Sequence, residues 1–366
     1  MTLTRREFSK LGAFGLAAQS MPFIGQTSER RIGYCVIGLG RIADHFLRGV
    51  TQSSSSKITG LVSGHRDKAE RIAKQYGLPA SSIYSYEEMD RFRDNKSIDA
   101  VYVALPNSMH AEYTIRSAKA GKHVLCEKPM SVTVSEAEAM IVACKANNAK
   151  LMIAYRLHYE PITLKTIKMI RDGAIGKVEA IDSANGFNIA PGEWRSTKTL
   201  GGGGPLMDVG IYSLNAARYL TGEEPEAFTA VATTPDKDGR FQGVEENLSW
   251  TMRFPSGVVT SCSTTYGASM PGYYKVFGSK GWLEVDSFGY QGLHLAANYT
   301  AGGRGTPAMK VDETNPEPDP MQFARQADHF SRCILENKTP DTAGEEGLKD
   351  MQHIQSIYRA AGISMG

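Results

Sequence analysis

Cysteine is scarce in this chain of 366 residues: Cys35, Cys126, Cys144, Cys262 and Cys333. The number is odd and no C-x-x-C occurs, so the paired spacing of a disulfide framework is missing. Cys35 and Cys126 fall inside apolar, strand-like runs, where cysteine behaves as a small hydrophobe. All five read as structural thiols, and no metal site is expected. A surplus of either charge is missing too: 41 Lys and Arg face 39 Asp and Glu, for a formal net charge of +2. That balance gives no reason to invoke nucleic acid or an anionic membrane surface as a partner. The apolar stretch Leu11 to Ile24 falls short of the roughly 20 residues a membrane helix needs, and it is rich in Gly and Ala.

What is present is enough apolar sequence, 41%, for a sizeable core, and a length that suggests two domains. Residues 1–25 do not read as part of that core. Arg5-Arg6 precedes the short apolar stretch, with Phe8 and Lys10 at the offsets of a twin-arginine export signal. Residues 1–30 are therefore expected to be signal and linker, and the protein to be exported folded to the periplasm. The alternative is a cytoplasmic tail that happens to carry two arginines. Ala17-Ala18-Gln19-Ser20 offers small residues but no clean cleavage pattern, so the segment is either removed or kept as an anchor.

Residues 31–155 alternate short strands and helices, which argues for a parallel, doubly wound sheet. The strand Tyr34 to Ile37 runs into Gly38-Leu39-Gly40-Arg41-Ile42-Ala43 and then a helix. This is G-x-G-x-x-A in the strand–turn–helix setting that a dinucleotide fingerprint requires. Gly38 permits the tight turn, Gly40 lets backbone approach a pyrophosphate, and Ala43 lets helix pack on strand. The next strand, Ile58 to Val62, ends in Ser63-Gly64-His65-Arg66-Asp67-Lys68. A free 2′-hydroxyl usually meets Asp or Glu at that point. Ser63, His65, Arg66 and Lys68 favour a 2′-phosphate instead, hence NADP over NAD. Strands Ile98 to Ala104, Lys122 to Cys126 and Leu151 to Tyr155 complete the half.

Pro129 stops the strand that ends at Cys126 and leaves Lys128 at its carboxyl end, where open α/β sheets bind ligands. Alone, Glu127-Lys128-Pro129 is an ordinary turn with a surface lysine. Its company changes the reading: the glycine turn upstream, and downstream a helix from Leu206 to Leu220 that puts Asp208 and Tyr212 on one face. Four glycines, 201–204, precede that helix and cannot be a stable strand or helix interior. From Phe228 to Asp286, short alternating runs read as an antiparallel sheet, residues 298–320 as a long loop, and 321–336 and 344–361 as closing helices.

The ordered set G-L-G-R-I-A, L-P-N-S-M-H, E-K-P-M and Y-R-L-H-Y-E-P resembles the glucose–fructose oxidoreductase, inositol dehydrogenase and MocA family over about residues 31–362. Gly201 to Asn215, with Gly222-Glu223-Glu224-Pro225, resembles the glucose–fructose branch. The resemblance implies an α/β fold: a Rossmann domain over 31–155, and an α+β domain over 156–366 with a large, mostly antiparallel open sheet that pairs subunits into a dimer or tetramer. It further implies cofactor contacts from Gly38, Leu39, Gly40, Arg41, Ile42, Leu105, Asn107, His110, Glu127, Lys128, Arg156, Trp194 and Arg195, and a pocket tyrosine at Tyr290. Lys128, Arg156, Asp208, Tyr212 and Tyr290 are the expected substrate contacts. The inositol dehydrogenase branch carries His where this chain has Tyr212, which moves the expected substrate towards aldoses and related cyclic sugars.

Oxidising a sugar carbinol needs a hydride acceptor and a base within reach of the hydroxyl. Tyr212 is the expected base, with Lys128 as the neighbouring cation that favours phenolate and Asp208 to orient either group. The expected activity is oxidation of an aldose to its lactone and reduction of a second sugar with the same bound NADP. Alternatives are a dehydrogenase or reductase with freely exchanging NADP(H), a glycosidase that uses a held nicotinamide transiently, and a catalytically silent nucleotide-binding protein.

Overall fold

The alternation over residues 31–155 closes as one parallel sheet. In the computed structural model, which describes residues 30–300, 302 and 307–365, the elements of this half are β1 (Ile32–Ile37), α1 (Arg41–Gln52), β2 (Ser56–Val62), α2 (Arg66–Gln75), β3 (Ile83–Tyr84), β4 (Ala100–Val103), α3 (His110–Lys119), β5 (His123–Cys126), α4 (Val134–Ala146) and β6 (Leu151–Ile153). The twin-arginine segment expected over residues 1–25 lies outside the described residues. The strand order is β3-β2-β1-β4-β5-β6, every pair parallel. The order reverses between β1 and β4, so the turns after Ile37 and Val103 open a crevice at the carboxyl edge, the position where this topology binds ligands. Residues 32–37 and 100–103 are buried throughout, as strands covered on both faces must be.

The second half runs α5 (Pro161–Arg171), β7 (Val178–Gly186), α6 (Lys198–Gly201), a wide π-type turn over Leu206–Gly210, α7 (Ile211–Thr221) and then seven strands: β8 (Ala227–Thr233), β9 (Asn247–Arg253), β10 (Val259–Thr265), β11 (Met270–Gly278), β12 (Gly281–Val285), β13 (His294–Thr300) and β14 (Ala308–Thr314). They form one eight-stranded sheet in the order β14-β13-β12-β11-β7-β10-β9-β8. It is antiparallel except where β7 meets β10. The long loop expected over 298–320 is thus corrected: it holds the end of β13 and all of β14. β14 is an exposed edge strand held by ladder hydrogen bonds to β13, so it carries no buried alternation to be read.

α8 (Met321–Leu335) and α9 (Gly344–Ala360) end the chain. α8 returns to the first sheet, where Phe323, Ala327 and Phe330 bury against Tyr34, Phe46 and Tyr102. Phe46 and Tyr102 stack with ring centres 3.8 Å apart, and Tyr34 Oη meets Ser331 Oγ at 3.0 Å. Each such side chain removed from water contributes about 1.5–3 kcal/mol, which is what pins the end of the chain beside its first strand. All five cysteines are free and buried. Among the described residues no helix is long and apolar enough to cross a membrane, and no group of three or more His, Cys, Asp or Glu is placed to hold a metal.

Candidate active site

The glycine turn after β1 is built for close approach. Gly38 has φ +86°, and a Cβ there would lie 2.5 Å from Ala104 O. Gly40 caps α1 with no side-chain hydrogen bond, and a Cβ on it would meet nothing within 4 Å. Among the described residues no side chain caps α1 at Gly40, and the space beside that glycine is open, which fits a dinucleotide pyrophosphate at the helix N-terminus. Leu39 is buried behind the turn, Ile42 is half-buried, and Leu105 packs where a Gly38 side chain would be. Arg41 is exposed and reaches Glu193 Oε1 at 3.3 Å.

The segment after β2 is arranged more locally. Ser63 Oγ accepts from His65 N at 3.0 Å. Arg66 donates to Glu70 at 2.8 Å and leans on the carbonyl of Ile83, while His65 is exposed and Lys68 half-buried. Of the four polar residues expected here, Arg66 is thus already engaged by an acid.

Lys128 follows β5 at the carboxyl edge of the first sheet and is nearly buried. Its Nζ donates to Asp208 O at 2.5 Å and to Asp208 Oδ1 at 3.1 Å, and sits 4.6 Å from the centre of the Tyr212 ring. The other carboxylate oxygen, Asp208 Oδ2, accepts from Tyr266 Oη at 2.8 Å and lies 3.3 Å from Arg195 Nε. Burial pushes Asp208 up, but Lys128, Arg195 and the Tyr266 hydroxyl outweigh it and hold the carboxyl below its usual range. Burial pulls Lys128 down, but Tyr212, Asp208 and Glu127 outweigh it and hold the ammonium above its usual range. Each partner thus favours the charged form of the other.

The expected α-helix from Leu206 begins instead as the π-type turn. Side chains from outside take its carbonyls: Lys128 bonds Asp208 O, and Asn185 Nδ2 bonds Val209 O at 3.2 Å. Such turns recur at functional sites because they free backbone acceptors. The glycines before it make room for two residues that sequence alone did not single out. A Cβ on Gly203 would strike the Tyr358 hydroxyl, and one on Gly204 would strike Glu245. Glu245 accepts from Gly204 N at 3.0 Å, Leu206 N at 3.3 Å and Tyr358 Oη at 2.8 Å, so a buried carboxylate caps the segment that carries Asp208 and Tyr212.

Several expected contacts turn inward. Asn107 Nδ2 bonds Gly201 O at 2.9 Å, tying the first half to the glycine run. His110 sits between Pro129 O at 2.7 Å and Leu105 O at 2.9 Å; burial pulls it down to about 4 against the pull of the two carbonyls. Glu127 is buried, accepts from Tyr102 Oη, and is raised by that burial. Arg156 is buried too. It donates to Phe288 O at 2.6 Å, Gly289 O at 2.7 Å, Gln322 and the Tyr212 hydroxyl at 3.2 Å, and stacks 4.4 Å from the Tyr290 ring centre. It holds the 288–290 loop beside Tyr212. Trp194 packs on the Arg195 guanidinium at 4.4 Å. Sequence reasoning missed Tyr266, Glu193, Glu245, Tyr358 and Gln322; each sits in an element with no motif, and only folding brings it here.

A dinucleotide fold whose cleft holds a lysine, a carboxylate and a tyrosine together is that of a nicotinamide-dependent oxidoreductase. Residues 32–155 match the family described as oxidoreductase family, NAD-binding Rossmann fold, and residues 163–284 match the GFO/IDH/MocA C-terminal domain. The chain belongs to the GFO/IDH/MocA family, as its motifs implied, and is a sugar oxidoreductase of that family with an NAD(P)-binding domain. It is similar to a crystal structure of aldose-aldose oxidoreductase from Caulobacter crescentus complexed with glycerol: 45% identity, TM-score 0.85, 91% of this chain and 98% of that one. It is 29% identical over 348 residues to D-xylose 1-dehydrogenase [NADP(+)] of Haloarcula marismortui, covering 91% of this chain and 92% of the relative. Inositol 2-dehydrogenase of Rhizobium meliloti is 29% identical over 261 residues, 70% of this chain and 76% of the relative.

Proposed function

We propose that the protein is an exported, NADP-dependent sugar oxidoreductase that oxidises an aldose to its lactone and reduces a second sugar with a tightly held, internally recycled cofactor. The observation that carries this reading is the placement of Tyr212: its hydroxyl meets Arg156 Nη2 at 3.2 Å, Lys128 lies over its ring, and Asp208 holds Lys128 in place. A bound nicotinamide supplies the hydride acceptor. Tyr212 Oη receives the proton of the donor hydroxyl as the carbonyl forms. In the return half it gives that proton to the carbonyl oxygen of the acceptor sugar, which becomes a hydroxyl. Arg156 directs a hydrogen bond at the Tyr212 hydroxyl and Lys128 lies over its ring, so both hold the phenol in place between these events. Proton and hydride balance over the two halves.

NADP is favoured by Ser63, Gly64, His65 and Lys68, where an acid would suit NAD, and by the NADP(+) in the name of one relative. The pairing of two aldoses in another relative's name supports the closed cycle. Export rests on Arg5 and Arg6. An exported enzyme without a nucleotide pool around it must close its own redox cycle. The open face of the second sheet, with Val231 and Val259 exposed, suits pairing with a second copy. The test gives dialysed enzyme an aldose and an acceptor sugar without nucleotide. Sustained lactone formation is expected, and denaturation should release about one NADP per chain. A single stoichiometric burst restored only by added nucleotide would make this an ordinary dehydrogenase.

A further inference from the structure

A chain of alternating charges spans the cleft from the dinucleotide turn to the catalytic lysine. Arg41 Nη2 lies 3.3 Å from Glu193 Oε1, and Glu193 Oε2 lies 3.3 Å from Arg195 Nη1. Arg195 Nε lies 3.3 Å from Asp208 Oδ2, and Asp208 Oδ1 lies 3.1 Å from Lys128 Nζ. Arg41 and Lys128 belong to the first sheet's half; Glu193 and Arg195 lie on the segment between β7 and α6. Exposure falls along the chain, from 79% at Arg41 through 31% at Glu193 and 24% at Arg195 to 10% at Lys128. Charges therefore interact more strongly towards the catalytic end, where less water screens them.

The segment is shaped to present Glu193. Ser196 Oγ bonds Glu193 O at 2.8 Å, Thr197 Oγ1 bonds Trp194 O at 2.8 Å, and Arg240 bonds Asn188 Oδ1 at 2.7 Å and Ile189 O at 3.0 Å. The Glu193 carboxylate then divides its two oxygens between one arginine from each half of the molecule.

We propose that Glu193 is a positioning residue, a latch that holds this segment across the dinucleotide turn and couples the seating of the pyrophosphate to Asp208 and Lys128. The inference rests on the dinucleotide-dependent reading of the site. Arg41 stands at the first position of α1, beside the open space at Gly40 that fits a diphosphate, and its five-donor guanidinium can serve that anion and Glu193 together. An anion at the turn fixes Arg41, Arg41 fixes Glu193, and Glu193 draws Arg195 partly off Asp208. Without the Glu193 charge the segment loses its tie to α1. Arg195 then leans wholly on Asp208, in competition with Lys128.

The experiment compares wild-type, E193Q and E193D proteins carrying their bound nucleotide. Each is mixed with an excess of unlabelled NADP and the rate of nucleotide release is followed. E193Q is expected to release about three- to tenfold faster at low salt, the scale of two partly exposed ion pairs. The ratio to wild type should shrink towards one as salt rises, and E193D, which keeps the charge, should fall nearer wild type. Turnover of E193Q should drop through kcat more than KM. Equal release from E193Q and wild type at low salt overturns the latch, whatever the activity. If wild type holds no nucleotide, the recycling reading fails but the latch is still read by titration: affinity for added NADP three- to tenfold weaker in E193Q supports it, and equal affinity overturns it.

Discussion

Lys128 meets Tyr212 over the face of its ring, 4.6 Å from the ring centre, and not at its hydroxyl. The group that donates to the Tyr212 hydroxyl is Arg156, at 3.2 Å. Two cations thus address one phenol from different directions. The ammonium acts through the field it lays over the ring, and the guanidinium through a directed hydrogen bond.

Replacing Tyr212 by Phe removes the hydroxyl and keeps the ring, which packs 5.6 Å from Phe288. Arg156 keeps its bonds to Phe288 O and Gly289 O. Steady-state turnover should fall about a hundredfold to ten-thousandfold, the usual share of a general acid–base group. The melting curve and bound nucleotide should stay as in wild type. Near-normal turnover in Tyr212→Phe would remove this residue from the chemistry.

The Lys128–Asp208 pair predicts the outer limits of activity. Asp208 sits below its ordinary 3.8, so the stability it contributes is present above that value and is lost as pH falls through the lower folded one. Lys128 sits above its ordinary 10.5, so its contribution is full below that value and is lost as pH rises through the higher folded one. Asp208→Asn removes a partner that raises Lys128. Its alkaline limb of kcat should therefore appear at lower pH than in wild type. A kcat–pH profile between 8 and 11 checks this, and an unmoved limb would mean that Asp208 does not hold the lysine's proton.

Gly204→Ala places a methyl group against Glu245, whose carboxylate caps the segment carrying Asp208 and Tyr212. Backbone must shift to accommodate it, at a cost of about 1–3 kcal/mol, the scale of overpacking. Denaturant unfolding should show that loss, with kcat falling alongside. Glu245→Gln should lower kcat in the same direction, because the carboxylate uses one oxygen for Gly204 N and the other for Leu206 N, and an amide keeps only one accepting oxygen. Wild-type stability in Gly204→Ala would show that the glycine run is not a packing requirement.

Ser63 Oγ accepts from His65 N, a bond an aspartate oxygen could also make. Ser63→Asp should therefore keep the turn while placing a carboxylate at the end of β2. That charge repels a 2′-phosphate and suits a free 2′-hydroxyl. The ratio of NADP to NAD affinity should drop by about tenfold or more, since a like-charge contact in a partly shielded site is worth over 1.4 kcal/mol. A wild-type protein that already prefers NAD would defeat the reading of Ser63 to Lys68.

Local rules carried the first half of the chain. The glycine turn, the strand stopped by Pro129 and the helix over Val134–Ala146 each follow from residues close in sequence, and Thr133 accepting from Glu136 N at 3.2 Å is one such rule made visible. Lys128, Asp208 and Tyr212 could be named because a strand end, a helix face and the motifs shared with the family pointed to them together. The edge strand Ala308–Thr314 was not legible, because an exposed edge leaves no hydrophobic period. The π-type start of the Tyr212 helix was not legible either. It depends on Lys128 and Asn185, 80 and 24 residues away from the carbonyls they take.

The partners within the site belong to tertiary structure alone. Arg156 stands in a motif, yet its turn towards Phe288, Gly289 and Gln322 is set by a loop and a helix more than 130 residues further on. Glu193 stands in no motif, and it became visible only when the fold laid it between Arg41 and Arg195. Backbone preference and hydrophobic period act over a few residues, so the chain declares its elements and the chemistry at their ends. A charged side chain chooses its partner by distance and burial after those elements have packed, and neither quantity is written along the chain.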